Sequence, residues 1–232
     1  AGETIEGRWT AKKKKNILES RVKGTQLLSQ TFQRLDTPPK IFVSSSASGF
    51  YGDRGEEILT ESSTAGNGFL ADVCKAWEAA ADTSSETRLV IARTGVVFDP
   101  SGGALQKLLI PIRLFFGGPL GGGKQWWPWI TLVDEVKALI HMIDTDIEGP
   151  VNLVSPQPLR NKELTRQIAK ALKRPAFIPA PAFALRALLG EMADGLLLSS
   201  SRILPEALEK SGFQFSSPDL QSALESLELT KG

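Results

Sequence analysis

An open α/β fold around a parallel sheet, followed by a small and mainly helical lobe, is what this sequence predicts, and three observations carry the prediction. The short apolar runs Ile41-Phe-Val43 and Leu89-Val-Ile-Ala92 have the composition of strands buried on both faces. They alternate with segments of helical period, the order of a sheet crossed over by helices. Beyond Arg174 the chain is cut by Pro175, Pro179, Pro181, Pro205 and Pro218, which leaves room only for short helices.

Taken in order, Ile17 to Phe32 reads as a helix that Pro38-Pro39 prevents from continuing. Lys40 to Ser45 follows as a strand ending in serines. Gly66-Asn-Gly68 opens a second helix, whose apolar face is Leu70, Val73/Cys74 and Trp77 and which runs to about Ala81. Arg88 to Arg93 is the next strand. A helix from about Ala104 to Phe116 leads into the glycine-rich loop Gly117 to Gly123 and the aromatic stretch Trp126-Trp-Pro-Trp129. Thr131-x-x-Asp134 has the form of a capping box for a helix to Ile143, with Leu132, Val136, Leu139/Ile140 and Ile143 as its apolar face. Val151 to Val154 reads as a strand, and Asn161 as the cap of a helix reaching Leu172. The expected division is a sheet domain over residues 1–155 and a helical lobe over 156–232.

Composition narrows the function classes. The 232 residues carry 27 basic and 26 acidic side chains, a net charge of +1, so no global field attracts nucleic acid or an anionic membrane, and partners must be recognised locally. The single cysteine, Cys74, rules out an intrachain disulfide and favours a reducing compartment. With His141 the only histidine, classical zinc catalysis is excluded and no metal is expected. No apolar run reaches the roughly 18 residues of a membrane span, so neither a membrane nor a nucleic acid is expected as partner. The polar start without methionine suggests a processed or incomplete chain.

Chemistry is expected first at Val43-Ser-Ser-Ser-Ala-Ser-Gly-Phe-Tyr-Gly-Asp53, because open α/β sheets bind ligands at the C-terminal ends of their strands. This stretch resembles the Ser-Ser-x-x-Val-Tyr-Gly strand of the extended short-chain dehydrogenase/reductases, with one extra residue. Other landmarks stand in the same order. Ala1-Gly2-Glu3 resembles the segment passing under the cofactor, and Gly24-Thr-Gln-Leu-Leu28 a helix of that superfamily. Arg93-Thr-Gly-Val-Val-Phe-Asp-Pro100 resembles its Arg-Pro-x-Asn-Val-Tyr-Gly-Pro, and Trp129-Ile-Thr-Leu-Val-Asp134 its Phe-Ile-His-Val-x-Asp. Arg8-Trp-Thr, Cys74-x-x-Trp-Glu78, Gly117-Gly-Pro-Leu-Gly121 and the tail from Leu189 to Phe215 are similar to the SulA-like epimerase family, whose name is linked to cell-division inhibition and which carries a small C-terminal domain.

The resemblance implies a Rossmann-like sheet, incomplete at the N-terminus, and NADP or NAD as cofactor. It also implies redox chemistry on a small or nucleotide-linked substrate. Carried over by position, Ala1, Gly2, Glu3, Ser44, Ser45, Arg93, Gly95 and Val96 would contact the cofactor and Ser46 would be catalytic. By their own polar and aromatic character Gln125, Trp126 and Trp127 are candidates to face substrate, and Arg202, in the family's tail signature, is a further one.

Two departures qualify that expectation. The Gly-x-x-Gly-x-x-Gly phosphate turn is not in this sequence, so the chain by itself is expected to bind dinucleotide weakly or not at all. The Tyr-x-x-x-Lys pair, in which the amine lowers the phenol's pKa, is replaced by Phe69/Val73 or Leu70/Cys74, and Arg21 stands at the usual asparagine. Tyr51, the sole tyrosine, is either packed or a cleft-facing acid. Cys74 and Lys75 read as packing and solvated. The tryptophans suit base stacking and a seam between lobes equally.

Two functions therefore stand side by side: an epimerase or oxidoreductase with altered chemistry, and a non-catalytic dinucleotide-binding regulator of cell or plastid division. A cytoplasmic or plastid-stromal location fits both. Unpaired strand edges favour a homodimer.

Overall fold

The computed structural model describes residues 2–83 and 86–227; Ala1, expected under the cofactor, lies outside them. In chain order, α1 (Ala11–Phe32) is followed by β1 (Ile41–Ala47), β2 (Ile58–Leu59), α2 (Phe69–Ala79), β3 (Arg88–Thr94) and β4 (Val96–Phe98). Then come α3 (Gly103–Arg113), β5 (Trp126–Trp127), β6 (Trp129–Thr131), α4 (Leu132–Asp144) and β7 (Gly149–Leu153). The rest comprises β8 (Leu159–Arg160), α5 (Asn161–Ala171), α6 (Ala182–Leu189), a π-helical turn (Ala193–Leu198), β9 (Arg202–Ile203), α7 (Glu206–Lys210) and α8 (Leu220–Ser226). Among the described residues no helix is long and apolar enough to cross a membrane.

The main sheet has three parallel strands in the order β1-β3-β7. Its register sets Ser46 beside Arg93 and Arg93 beside Asn152, so these polar side chains share one face. The alternate residues Val43, Val90, Ala92 and Val151 form the other face and join Ala138 and Met142 of α4 in an apolar core. Helix α2 covers the polar face, and α1 lies against α2 through Trp77 Nε1 donating to Thr25 Oγ1 (2.9 Å) and Ser29 Oγ donating to the Ala80 carbonyl (2.9 Å).

A second core joins β4 and β6 to the C-terminal helices: Phe98 stacks on Trp129, and Leu105, Leu109, Ile112, Leu164, Ile168 and Leu220 close around them. Strand β9 returns beside β2, tying the tail to the loop after β1. Asp134 does the same for the segment before α8, accepting from the backbone N–H groups of Ser216 (2.7 Å) and Ser217 (2.9 Å). The expected α/β class, with a parallel sheet and a small helical C-terminal region, is the observed one.

Three local expectations change. Helix α1 starts earlier than Ile17, because Thr10 caps it by accepting from the Lys13 N–H and the lysine run that follows propagates a helix well. Asn161 is not a cap but the first residue of α5; fully buried, it accepts the Leu120 N–H at 2.8 Å and so fixes the glycine-rich loop instead. On α4 the sheet takes Glu135, Ala138 and Met142, while Leu132, Val136, Ile140 and Ile143 are exposed. That helix is apolar on two sides, and Thr131, which accepts from the Asp134 N–H, sets which side turns inward.

Candidate functional site

At the C-terminal end of the sheet the polar face is a closed ionic network. Arg93 donates from Nε (2.9 Å) and Nη2 (2.8 Å) to the two carboxylate oxygens of Glu78 on α2, a fork-to-fork pair whose side chains are 6% and 14% exposed. Ser46 Oγ donates to Glu78 Oε1 at 2.6 Å. Arg93 Nη1 donates to the Tyr51 hydroxyl (3.0 Å), which donates in turn to Asn152 Oδ1 (2.7 Å). Asn152 passes its Nδ2 to the Leu204 carbonyl and its backbone N–H to Glu61. The guanidinium lies 3.5 Å from the Phe50 ring centroid.

Burial opposes the charge on Arg93, but the bonds from Glu78 and Tyr51 outweigh it and the pKa rises. Burial also raises the Tyr51 phenol, with Arg93 pulling the other way, and it raises the Glu61 carboxyl. The two residues expected to be catalytic, Ser46 and Tyr51, are thus brought together, but inside this network. Tyr51 is fully buried and Ser46 nearly so, and Arg93, expected at the cofactor, is spent on Glu78.

Helix α2 presents no phenol–amine pair. Phe69 meets Trp9 edge-on, Val73 and Cys74 are buried, and Cys74 points at the Ala47 carbonyl of β1. Burial, then the Glu78 charge, pushes the Cys74 thiol up to about 11, an inert thiol. Lys75 is paired with Asp72 at 2.7 Å on the outer side of the helix. Arg21 donates to the Glu3 and Ile17 carbonyls and stacks over Trp77.

The other expected cofactor residues are dispersed. Gly2 lies against the Arg21 guanidinium, and Glu3 bonds Ser20 through its N–H and Lys13 through its carboxylate. Ser44 is buried and Ser45 exposed. Gly95 is glycine for packing, because a Cβ there would stand 2.8 Å from the Pro128 oxygen and 2.9 Å from Val154. Its neighbour Val96 is held in β4 by pairing with β6. Beside them, on the α4 face, Thr94 Oγ1 donates to Glu135 Oε1 (2.8 Å), while Glu135 Oε2 is buried without a partner. Burial pushes this carboxyl up to about 7 despite the threonine.

The expected substrate residues divide. Gln125 is buried and donates to the Leu120 and Leu197 carbonyls, and Trp127 is buried and donates to Leu197. Trp126 is half-buried. Its Nε1 donates to Glu56 (3.0 Å), and the guanidinium groups of Arg160 and Arg202 lie over its ring at 4.7 and 4.6 Å. Arg202 Nε is buried with no partner. An open cleft of about 320 Å³ adjoins this cluster, bounded by Glu56, Lys124, Gln125, Arg186 and Ser200.

The sequence reading missed the roles of Glu78, Asn152 and Glu135. Each leaves a signal, a polar side chain on the sheet-facing side of an apolar segment: Glu78 one turn after Cys74, Asn152 between Val151 and Leu153, and Glu135 one turn before Ala138.

The fold and the site's position at the strand ends define a Rossmann-like α/β protein. Comparison with known proteins carries this to a family. An epimerase family protein of Mycobacterium leprae is 38% identical over 220 residues, covering 94% of this chain and 71% of that protein. One from Staphylococcus aureus is 35% identical over 231 residues, covering 98% and 77%. The crystal structure of the human epimerase family protein SDR39U1 with NADPH matches at a TM-score of 0.94 and 34% identity, over 100% of this chain and 80% of that one. A family model described as a domain of unknown function, DUF1731, matches residues 180–227. The chain belongs to the NAD(P)-dependent epimerase family.

Proposed function

We propose that this protein is an epimerase-type NAD(P)-linked oxidoreductase relative whose usual Tyr-Lys proton relay has been lost, with residues 1–155 as its sheet domain and 156–232 as its substrate-side lobe. The observation that carries the reading is α2. Where a phenol and an amine would stand, the helix offers Phe69 with Val73 or Leu70 with Cys74, packed against Trp9 and β1, while Lys75 is paired with Asp72. These residues do not fit proton transfer beside a nicotinamide. Among the described residues no strand-to-helix connection carries the glycine-rich phosphate turn. No hydride step is therefore routed through this chain.

What supports a nucleotide-linked substrate is the Trp126 ring under two arginines beside the cleft, a surface suited to an aromatic base or a diphosphate. The SulA-like motifs of the tail, a cytoplasmic or plastid-stromal setting and a homodimer belong to the same proposal. A second reading is favoured by the closed network: with Ser46 and Tyr51 both engaged in holding Arg93 and Glu78 together, the fold would serve as a non-catalytic dinucleotide-binding regulator of cell or plastid division.

Calorimetry of the purified chain with NADPH and NADH should show binding weaker than low-micromolar; tighter binding overturns the cofactor part of the proposal. Sugar nucleotides and small carbonyls are then assayed by nicotinamide absorbance. Sustained turnover abolished by Ser46→Ala rejects the regulator, whereas a dinucleotide-dependent rise in Tm without turnover rejects the enzyme.

A further inference from the structure

Six large apolar side chains stand out from the C-terminal side of the molecule on two adjacent segments. Leu114 (61% exposed), Phe115 (53%) and Phe116 (68%) follow α3, and Phe177 (75%), Ile178 (42%) and Phe183 (75%) lie at the approach to α6 and in its first turn. The segments are held side by side: the Ile178 N–H donates to the Gly117 carbonyl (3.1 Å) and the Ala180 N–H to the Pro119 carbonyl (3.0 Å). A Cβ on Gly118 would stand 1.9 Å from the Ile178 oxygen, so the contact between them is backbone to backbone. This is a continuous apolar patch of the kind monomeric surfaces rarely expose.

Its charge is as one-sided as its apolarity. From Ser101 to Val133 the sequence contains no carboxylate and three cations, Lys107, Arg113 and Lys124. From Leu164 to Gly190 it again contains none and carries five, Arg166, Lys170, Lys173, Arg174 and Arg186. In a chain of net charge +1, eight cations stand on the two stretches that bear the patch, of which Lys107 is paired with Glu6 and Arg186 with Asp194. Arg174 lies 4.6 Å over the Phe115 ring, placing positive charge within the apolar surface itself. Another exposed apolar stripe, on α4, is followed in sequence by the carboxylates Asp144, Asp146 and Glu148.

We propose that the Leu114–Phe116 and Phe177–Phe183 patch docks on an anionic lipid surface, the aromatic rings entering the headgroup boundary and the basic rim holding the phosphates. Aromatic and aliphatic side chains beside clustered cations are the composition of interfacial membrane contacts, and the interaction needs no spanning helix. It is independent of the chemistry proposed above.

The test is co-sedimentation of the purified protein with phosphatidylcholine vesicles, with and without phosphatidylglycerol. Binding is expected to the anionic vesicles and to weaken with salt, as charge attraction requires. Phe177→Ser/Phe183→Ser and Lys173→Glu/Arg174→Glu should each reduce it about tenfold or more. All four positions are exposed, so urea midpoints of these variants should match the parent. Val136→Ser/Ile140→Ser on α4 should bind as the parent does. Equal binding to neutral vesicles, parent-like binding by the patch variants, or loss of binding in the α4 variant overturns the proposal. So does an absence of vesicle binding coupled with self-association that the Phe variants dissolve, which would make a second copy the occupant.

Discussion

The same three strands make two unlike surfaces. Toward α2 they offer Ser46, Arg93 and Asn152, and the space is filled by an ion pair, a phenol and an amide, each satisfied by the next. Toward α4 they offer Val43, Val90, Ala92 and Val151, and Glu135, set beside them on α4, keeps a carboxylate oxygen without a partner. The polar face holds the Arg93 and Glu78 charges because each is paired with the other, while Glu61, which accepts only the backbone N–H groups of Asn152 and Ala207, has its carboxyl raised by burial. The apolar face holds a carboxyl at the expense of its ionisation. Burial acts on both, and the difference lies in whether a partner of opposite charge was built in.

The most severe break in this contrast is removal of the Glu78 carboxylate. Glu78→Ala leaves the Arg93 guanidinium buried and uncompensated, which costs about 3–5 kcal/mol. Urea denaturation would read this as a large fall in midpoint. Removing both partners, with Glu78→Leu and Arg93→Met, should restore much of the loss, since a buried pair contributes less than its breakage costs. If Glu78→Ala and the double variant are equally unstable, the pairing argument fails.

On the apolar face the effect is one of pH. The folded-state pKa of Glu135 is raised from 4.5 to about 7 by burial, so between those values the folded protein keeps a proton that the unfolded chain releases. Stability from this group is present below pH 4.5, falls as pH rises through the window and is lost above 7, a change of about 3 kcal/mol at 1.36 kcal/mol per unit. Glu135→Gln still accepts the Thr94 hydroxyl and has no proton to lose. It should flatten the stability–pH profile and exceed the parent in stability at pH values above about 7. A profile with the same slope in both proteins would show that Glu135 does not carry it.

How much of this was legible in the sequence follows from the same physics. Strands β1 and β3 were readable because burial on both sides favours short apolar runs such as Ile41-Phe-Val43 and Leu89-Val-Ile-Ala92. Strand β7 was readable from Val151, Leu153 and Val154 although Asn152 interrupts them, and Ser46 from its position in the resembled strand motif. Helix α4 misled because it is apolar around much of its circumference, and period alone cannot say which stripe meets the sheet. Arg93 was placed by position in a motif, but its partner is set by register: only the pairing of β1 with β3, and the docking of α2 across them, brings Glu78 to it from 15 residues away. Gln125 and Trp127 looked like ligand contacts because they are polar or aromatic beside a glycine-rich loop. What captured them is the need of buried carbonyls for donors, here Leu120 and Leu197. Contacts between distant segments leave little trace in local pattern, and the site is made of such contacts.

The mildest perturbation is also the one that best separates structure from chemistry. Tyr51→Phe removes one hydroxyl that accepts from Arg93 and donates to Asn152, leaving a buried N–H and a buried amide oxygen each one bond short. The expected cost is about 1–2 kcal/mol, smaller than for Glu78→Ala because the Arg93–Glu78 pair itself remains. If the hydroxyl acts only as a link in the network, the Tyr51→Phe substitution lowers the urea midpoint, while dinucleotide binding per folded molecule stays as in the parent. If instead the phenol serves as an acid toward a bound ligand, the midpoint holds and the ligand response changes. The fully buried ring and its two short bonds place the expectation on the first outcome.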